Sequence, residues 1–314
     1  MGYTNWSDDF YYYREAERAR VGVSAFAYSD DVRRRPVSER QTHAQMNPFN
    51  VKRESRDSEA HPESTAVAVI FDVTGSMGHI PVILQKKLPE FHGLLTTRKY
   101  LKDPQVLFGA VGDSTCDGGS LQIGQFESGV EMDDDLGRMW LEGGGGSGME
   151  ESYQNAIYFM AQHTSCDCTE KRKKKGYLFL IGDEKPYSRV SKKEVEKIMG
   201  DTLQADIPLK EVVAMASEKF HIFFLIPSGA SHGRDADVED TWVRTLGRDH
   251  VVKIDDPDAV CETIGLLIGL TEGTAKLENV EEDFQQAGIS GQVADAVKRA
   301  VTPGRKKASR NVRV

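Results

Sequence analysis

The stretch from Ala66 to Gly78 constrains this chain most. Its apolar run, Ala66 to Phe71, has the length and β-branched content of a buried strand and stops abruptly at Asp72-Val73-Thr74-Gly75-Ser76-Met77-Gly78. An acid and two hydroxyls at i, i+2 and i+4 on a tight turn can aim their oxygens at one point, which suits a hard divalent cation such as Mg²⁺. Read more simply, Asp72 and Thr74 cap the helix that follows.

Further strands and helices surround this turn. Pro81 stands near a helix start, followed at helical spacing by Leu84, Leu88, Phe91 and Leu95, with a kink expected at Pro89. Val106–Val111 and Leu121–Phe126 read as strands separated by a connection too short for a crossover helix, so they should form an antiparallel hairpin. A glycine-rich segment, Gly143 to Gly148, opens a helix through Tyr153, Ala156, Ile157 and Met160. Tyr177–Ile181 ends in Gly182-Asp183, a second acid at a strand's carboxyl end. Phe220–Ile226 and Val251–Ile254 complete six strands, alternating with helical patterns near 191–200, 208–219, 238–246 and 260–268. This order predicts an α/β fold with a doubly wound, mostly parallel six-stranded sheet, helices on both faces and one antiparallel edge strand.

The Asp-x-Thr-Gly-Ser motif resembles the metal-ion-dependent adhesion site of von Willebrand factor type A (vWA) domains, of the intracellular bacterial or phage type. Three special loops in that family's order, at Asp72, Ser147 and Asp183, extend the likeness over residues 64–271. The resemblance implies that Thr74 and Ser76 ligate a metal through their hydroxyls, and that Asp72 and Asp183 hold it directly or through water. The second loop departs from the pattern, because Ser147 stands where relatives commonly offer Thr, with Glu150 three residues on. Glu150 could join the metal's surroundings or act as an acid in its own helix's first turn. Asp113 is a further candidate for the surrounding shell, although a turn-forming role is favoured.

On this reading the cofactor is Mg²⁺, or another divalent cation such as Mn²⁺ or Ca²⁺, and the chain is a binding module rather than an enzyme. The metal would capture an Asp or Glu of a partner protein. The resemblance also suggests work beside a MoxR-like AAA+ ATPase, or in a stress-response or defence assembly. The rival readings are a metal-dependent hydrolase using Asp72 and Asp183 to activate water, and a structural subunit with a vestigial metal site.

Other signals are weaker. His163, Cys166 and Cys168 are soft-metal ligands without a fourth partner nearby. The run Lys171-Arg172-Lys173-Lys174-Lys175 reads as a solvated loop. Ser76 lacks a nucleophile elbow, and no phosphate-binding glycine motif ends in Lys-Ser or Lys-Thr. The net charge of −9 argues against general nucleic-acid binding. No apolar stretch nears the roughly 20 residues of a membrane helix, four cysteines are too few for a disulfide framework, and the first residues lack a secretory pattern, so a cytoplasmic address is expected.

Outside the central domain, residues 1–63 read as a polar, aromatic arm, helical around Tyr11–Val21. Part of it is expected to pack on the domain away from the metal edge, because several aromatics would be costly to leave in water. Residues 272–314 read as an extension with one helix near Gly291–Val301 and a mobile basic tail.

Overall fold

The computed structural model describes residues 4–77, 80–144 and 148–302, with the side chain of Ser76 also outside the description. Six strands form one sheet: β1 (Thr65–Asp72), β2 (Pro104–Val111), β3 (Leu121–Ile123), β4 (Gly176–Ile181), β5 (Phe220–Pro227) and β6 (Val251–Ile254). Their order across the sheet is β6-β5-β4-β1-β2-β3. Every pairing is parallel except β2 with β3, the hairpin expected from its short connection. The strand order reverses between β1 and β4. Clefts outside the carboxyl ends of strands open at such a reversal.

Residues of β1 alternate between two apolar layers, with Val67, Val69 and Phe71 in one and Ala66, Ala68 and Ile70 in the other. Both faces of this strand are buried along its whole length, which is why its sequence is a continuous apolar run.

Before β1 the chain forms helices α1 (Asp8–Val21) and α2 (Ala27–Arg34). After it come α3 (Ile80–Lys86) and α4 (Leu88–Thr96), then α5 (Glu131–Gly137) beyond the hairpin and α6 (Tyr153–Gln162) beyond the glycine-rich segment. Pro89 sits in the first turn of α4, where its missing N–H costs nothing, so the kink expected there is a break into two helices. The layer holding Val69 packs against α3, α4 and the helix Val260–Glu272; the layer holding Ala68 packs against α6 and the helix Leu209–Ser217.

The arm is welded to the first of these layers. Ser7 caps α1 by accepting from the Phe10 N–H, Asp8 and Asp9 lie in its first turn, and Gly22 ends it at φ 68°. Tyr11 is wholly buried, and its hydroxyl donates to the Gln85 carbonyl at 2.7 Å. The Gln85 amide donates to Tyr11 Oη at 3.1 Å and to Asp133 Oδ1 at 3.0 Å, while Arg18 reaches Asp133 Oδ2 at 2.5 Å. Phe26, Val32 and Met46 are buried as well. Phe10, Tyr12 and Tyr13 remain about half exposed, so only part of the aromatic cluster is used for packing.

The arm does not keep clear of the loops that follow β1, as the sequence reading expects. The Ser29 hydroxyl and the Arg33 guanidinium both reach the Leu141 peptide, at the entrance to the glycine run. The segment after residue 271 also differs from a solvated tail. A helix over Val280–Gln286 precedes the expected Gly291–Val301 helix, and Val280, Phe284 and Val297 are fully buried in the layer that holds Tyr11. Residues 303–314, which carry most of the expected basic tail, lie outside the described residues.

The weaker sequence signals have structural explanations. His163 contacts the Val51 carbonyl through Nδ1 at 3.1 Å and Asp201 through Nε2 at 2.7 Å, which occupies both ring nitrogens. Cys166 lies on a short strand paired with Arg53–Ser55, and Cys168 is buried beside it. In the basic run, Lys171 and Arg172 pair with Asp57, and Lys174 pairs with Glu272.

Trp6 stacks on His92, with ring centroids 5.1 Å apart. Burial pushes the His92 pKa down to about 4, with Asp8 raising it and His61 lowering it further. Because the folded pKa lies below the unfolded value near 6.5, this contribution to stability is complete above that pH and is lost as pH falls towards 4. At pH 5 the loss should be about 1–2 kcal/mol. Urea unfolding at pH 7.5 and pH 5 checks this: His92→Phe should lose that much less stability than the parent between the two values. Equal losses would remove His92 as the cause.

Candidate metal centre

β1 and β4 are neighbours with Phe71 level with Ile181, so Asp72 and Asp183 emerge side by side at the carboxyl edge, where the strand order reverses. Both are fully buried. Asp72 is held by its own turn and by α6: the Thr74 N–H donates to Oδ1 at 2.6 Å, and the Tyr153 hydroxyl donates to Oδ2 at 3.1 Å. Asp183 Oδ2 accepts from the His232 N–H at 2.7 Å. Between the two acids Gly182 has no alternative, because a Cβ there would lie 1.8 Å from the Tyr153 hydroxyl.

The first two residues of the glycine-rich segment, Gly143 and Gly144, lie against the Asp72 turn. The Gly143 N–H donates to the Val73 carbonyl at 3.1 Å, and the Gly75 N–H donates to the Gly144 carbonyl at 3.0 Å. A side chain at position 144 would run into Asp117, 2.6 Å from the Cβ position. Beyond this segment Glu150–Glu151 pairs in parallel with Lys185–Pro186, joining the second and third loops by backbone hydrogen bonding.

That short ribbon decides which glutamate faces inward. Successive side chains on a strand point to opposite sides. Glu150 is exposed, whereas Glu151 is 1% exposed and its Oε2 has no hydrogen-bond donor among the described residues. Glu184, next to Asp183, is also buried, and its backbone carbonyl accepts from the Trp242 indole at 2.9 Å.

The electrostatics are those of crowded acids. Burial pushes Asp72 up to about 7, opposed by the hydrogen bonds from Thr74, with the charges of Glu184 and Asp183 adding to the rise. Burial pushes Glu151 up to about 10, with Asp72 and Glu184 adding to it. Glu184 is raised by burial too, with Glu151 beside it lowering it and the charge of Asp183 adding to the rise. Among the described residues no lysine or arginine forms a salt bridge with Asp72, Glu151 or Glu184.

Of the candidate residues, Asp72, Thr74 and Asp183 are therefore brought to one edge. Ser147 and the Ser76 hydroxyl lie outside the described residues. Asp113 takes the turn-forming role: its carboxylate accepts from the Thr115 N–H at 2.9 Å, the Thr115 hydroxyl at 2.7 Å and the Tyr187 hydroxyl at 3.2 Å. Glu150 gives way to Glu151. Among the described residues no three His, Cys, Asp or Glu side chains are already arranged as a metal cage. Tyr153, which donates to Asp72, and the buried Glu184 also lie at this edge, where sequence alone does not place them.

No family model matches the chain, and no curated protein does. Among solved structures, the pilus adhesin SpaC from Lactobacillus rhamnosus GG in its open conformation superposes with a TM-score of 0.45 at 8% identity, over 73% of this chain and 33% of that one. Proximal thread matrix protein 1 from the mussel byssus gives 0.43 at 11% identity, over 72% of this chain and 49% of that one. The chain thus spans less than half of either protein. Likenesses this distant carry no functional argument. Among the described residues no helix is long and apolar enough to cross a membrane.

Proposed function

We propose that the chain is a vWA-type, doubly wound domain working as a metal-dependent protein-binding module. The observation that carries this reading is the meeting of Asp72 and Asp183 at the reversal of strand order, beside the buried Glu151 whose Oε2 has no donor among the described residues. Buried acids normally have partners, and a hard divalent cation is the partner that such an oxygen set fits. Asp72, Thr74 and Asp183 would hold it, with Ser76 and Ser147 supplying hydroxyls as the resemblance implies and Glu151 as an added acid. Bound there, Mg²⁺ or a related ion supplies a positive centre with a position open to a partner's carboxylate.

The chain's own residues then have distinct tasks. Thr74 and Tyr153 orient Asp72 through one hydrogen bond to each oxygen. The His232 N–H fixes Asp183. The partner would be a protein presenting Asp or Glu, and a MoxR-like AAA+ ATPase is the class that the resemblance suggests.

Calorimetric titration with Mg²⁺, Mn²⁺ and Ca²⁺ tests the proposal. The parent should bind at least one ion, Asp72→Ala should abolish binding, and Glu151→Gln should weaken it about 10-fold or more. A parent that binds none of the three would leave a vestigial site. Metal-dependent turnover of a phosphate ester or peptide, lost in Asp72→Ala, would instead establish a hydrolase.

A further inference from the structure

We infer that Ser29 and Arg33, in the arm, are positioning residues for the metal edge, acting through the loop that backs the Asp72 turn. This inference rests on the proposed metal-binding role for its functional meaning, but its geometry stands independently. The Leu141 N–H donates to Ser29 Oγ at 3.0 Å, and the Leu141 carbonyl accepts from the Ser29 hydroxyl at 3.4 Å and from Arg33 Nη2 at 2.9 Å. One residue is thus gripped at both of its backbone polar groups by α2. Phe26, immediately before that helix, packs in the layer that holds Tyr11, Val32 within it is fully buried, and Ser29 is 1% exposed.

Two residues downstream the same strand of chain touches the site. Gly143 donates to Val73, and Gly144 accepts from Gly75, so the backbone on either side of Thr74 leans on this loop. Gly143 adopts φ +67°, and Gly143 and Gly144 have no side chains to pack, so among the described residues their path is held by backbone hydrogen bonds and by the anchoring of the residues before them. Trp140 is tied to Gln122 of β3 through two bonds of 2.8 Å, and Glu142 accepts from the Gly118 and Gly119 N–H groups. Leu141, between these anchors, is held by the arm. Arm, loop and Asp72 turn therefore form one hydrogen-bonded relay.

A role confined to docking the arm would leave the Asp72 turn unaffected when the grip is cut. A positioning role would not. In metal-free protein, hydrogen exchange at the Gly75 and Gly143 amides should be about 10-fold faster in Ser29→Ala and in Arg33→Ala, while Ile70 and Leu180 in the sheet keep their protection. Titration with Mn²⁺ should show affinity reduced about 3- to 10-fold in both variants. Unchanged exchange at Gly75 and Gly143 in both would overturn the inference. If Ser29→Ala fails to fold, Arg33→Ala decides, since its side chain is 55% exposed. A parent that binds no Mn²⁺ would count against the metal-binding proposal, and the exchange rates would still judge the relay.

Discussion

Deleting residues 1–60 is expected to abolish stable folding rather than trim a loose extension. Tyr11, Phe26, Val32 and Met46 are each at most 6% exposed and sit within the core. Burying such side chains contributes about 1.5–3 kcal/mol each, so these four account for roughly 6–12 kcal/mol before any hydrogen bond is counted. The net stability of a domain is about 5–15 kcal/mol, so the deletion removes most or all of it. The Tyr11–Gln85–Asp133 network would be cut in the same step, leaving Asp133 buried without Arg18. The truncated chain should be insoluble, or should bind a hydrophobic dye without a cooperative melt. A soluble truncation melting within a few degrees of the parent would show that the arm is dispensable.

A second large effect is expected from adding one methyl group at position 182. The new Cβ of Gly182→Ala would sit 1.8 Å from Tyr153 Oη and 2.7 Å from its Cζ. Tyr153 cannot step aside: it packs edge-on against Phe224 and Trp242, each with centroids 5.4 Å away, and its hydroxyl is bonded to Asp72. Overpacking of this kind costs about 1–3 kcal/mol, and here the upper end or more is expected. At roughly 2–4 °C per kcal/mol, the melting temperature should fall by about 6–12 °C. Adding Tyr153→Phe to Gly182→Ala should recover part of the loss, because it removes the oxygen that collides first. Strict additivity of the two substitutions would show that they do not meet.

Much of the sheet is legible in the sequence because its strands are buried on both faces. Such strands are continuous apolar runs, and acids or glycines end them sharply at Asp72 and Asp183. The hairpin was readable from the length of its connection, whereas Pro89 signalled only a kink where the chain in fact starts a new helix. The arm was harder to read. In α1 a single residue, Tyr11, is buried, so the helix shows almost no apolar stripe, and its attachment rests on hydrogen bonds and ion pairs that leave no periodic trace. The same holds for Val280–Gln286, where Val280 and Phe284 are the buried pair in an otherwise acidic and amide-rich turn.

The candidate site divides along similar lines. Asp72, Thr74 and Asp183 are visible because each follows a recognisable strand. The choice between Glu150 and Glu151 is invisible in sequence, since a register shift of one residue exchanges which side chain faces inward. Only the pairing with Lys185–Pro186 fixes it. Tyr153 reads as one more apolar residue of α6, and nothing in the sequence distinguishes its hydroxyl as a donor to Asp72.

The two faces of the sheet also draw on very different spans of the chain. Buried residues on the α6 side run from Ala66 to Val251, whereas the opposite layer joins Tyr11 to Val297. During synthesis the first layer can therefore close before the chain is complete, while the second must wait for Val280, Phe284 and Val297 to emerge. Until then Tyr11, Phe26 and the α3–α4 surface share an incomplete apolar layer, so the late-closing half of the molecule is where a nascent chain is most exposed to aggregation.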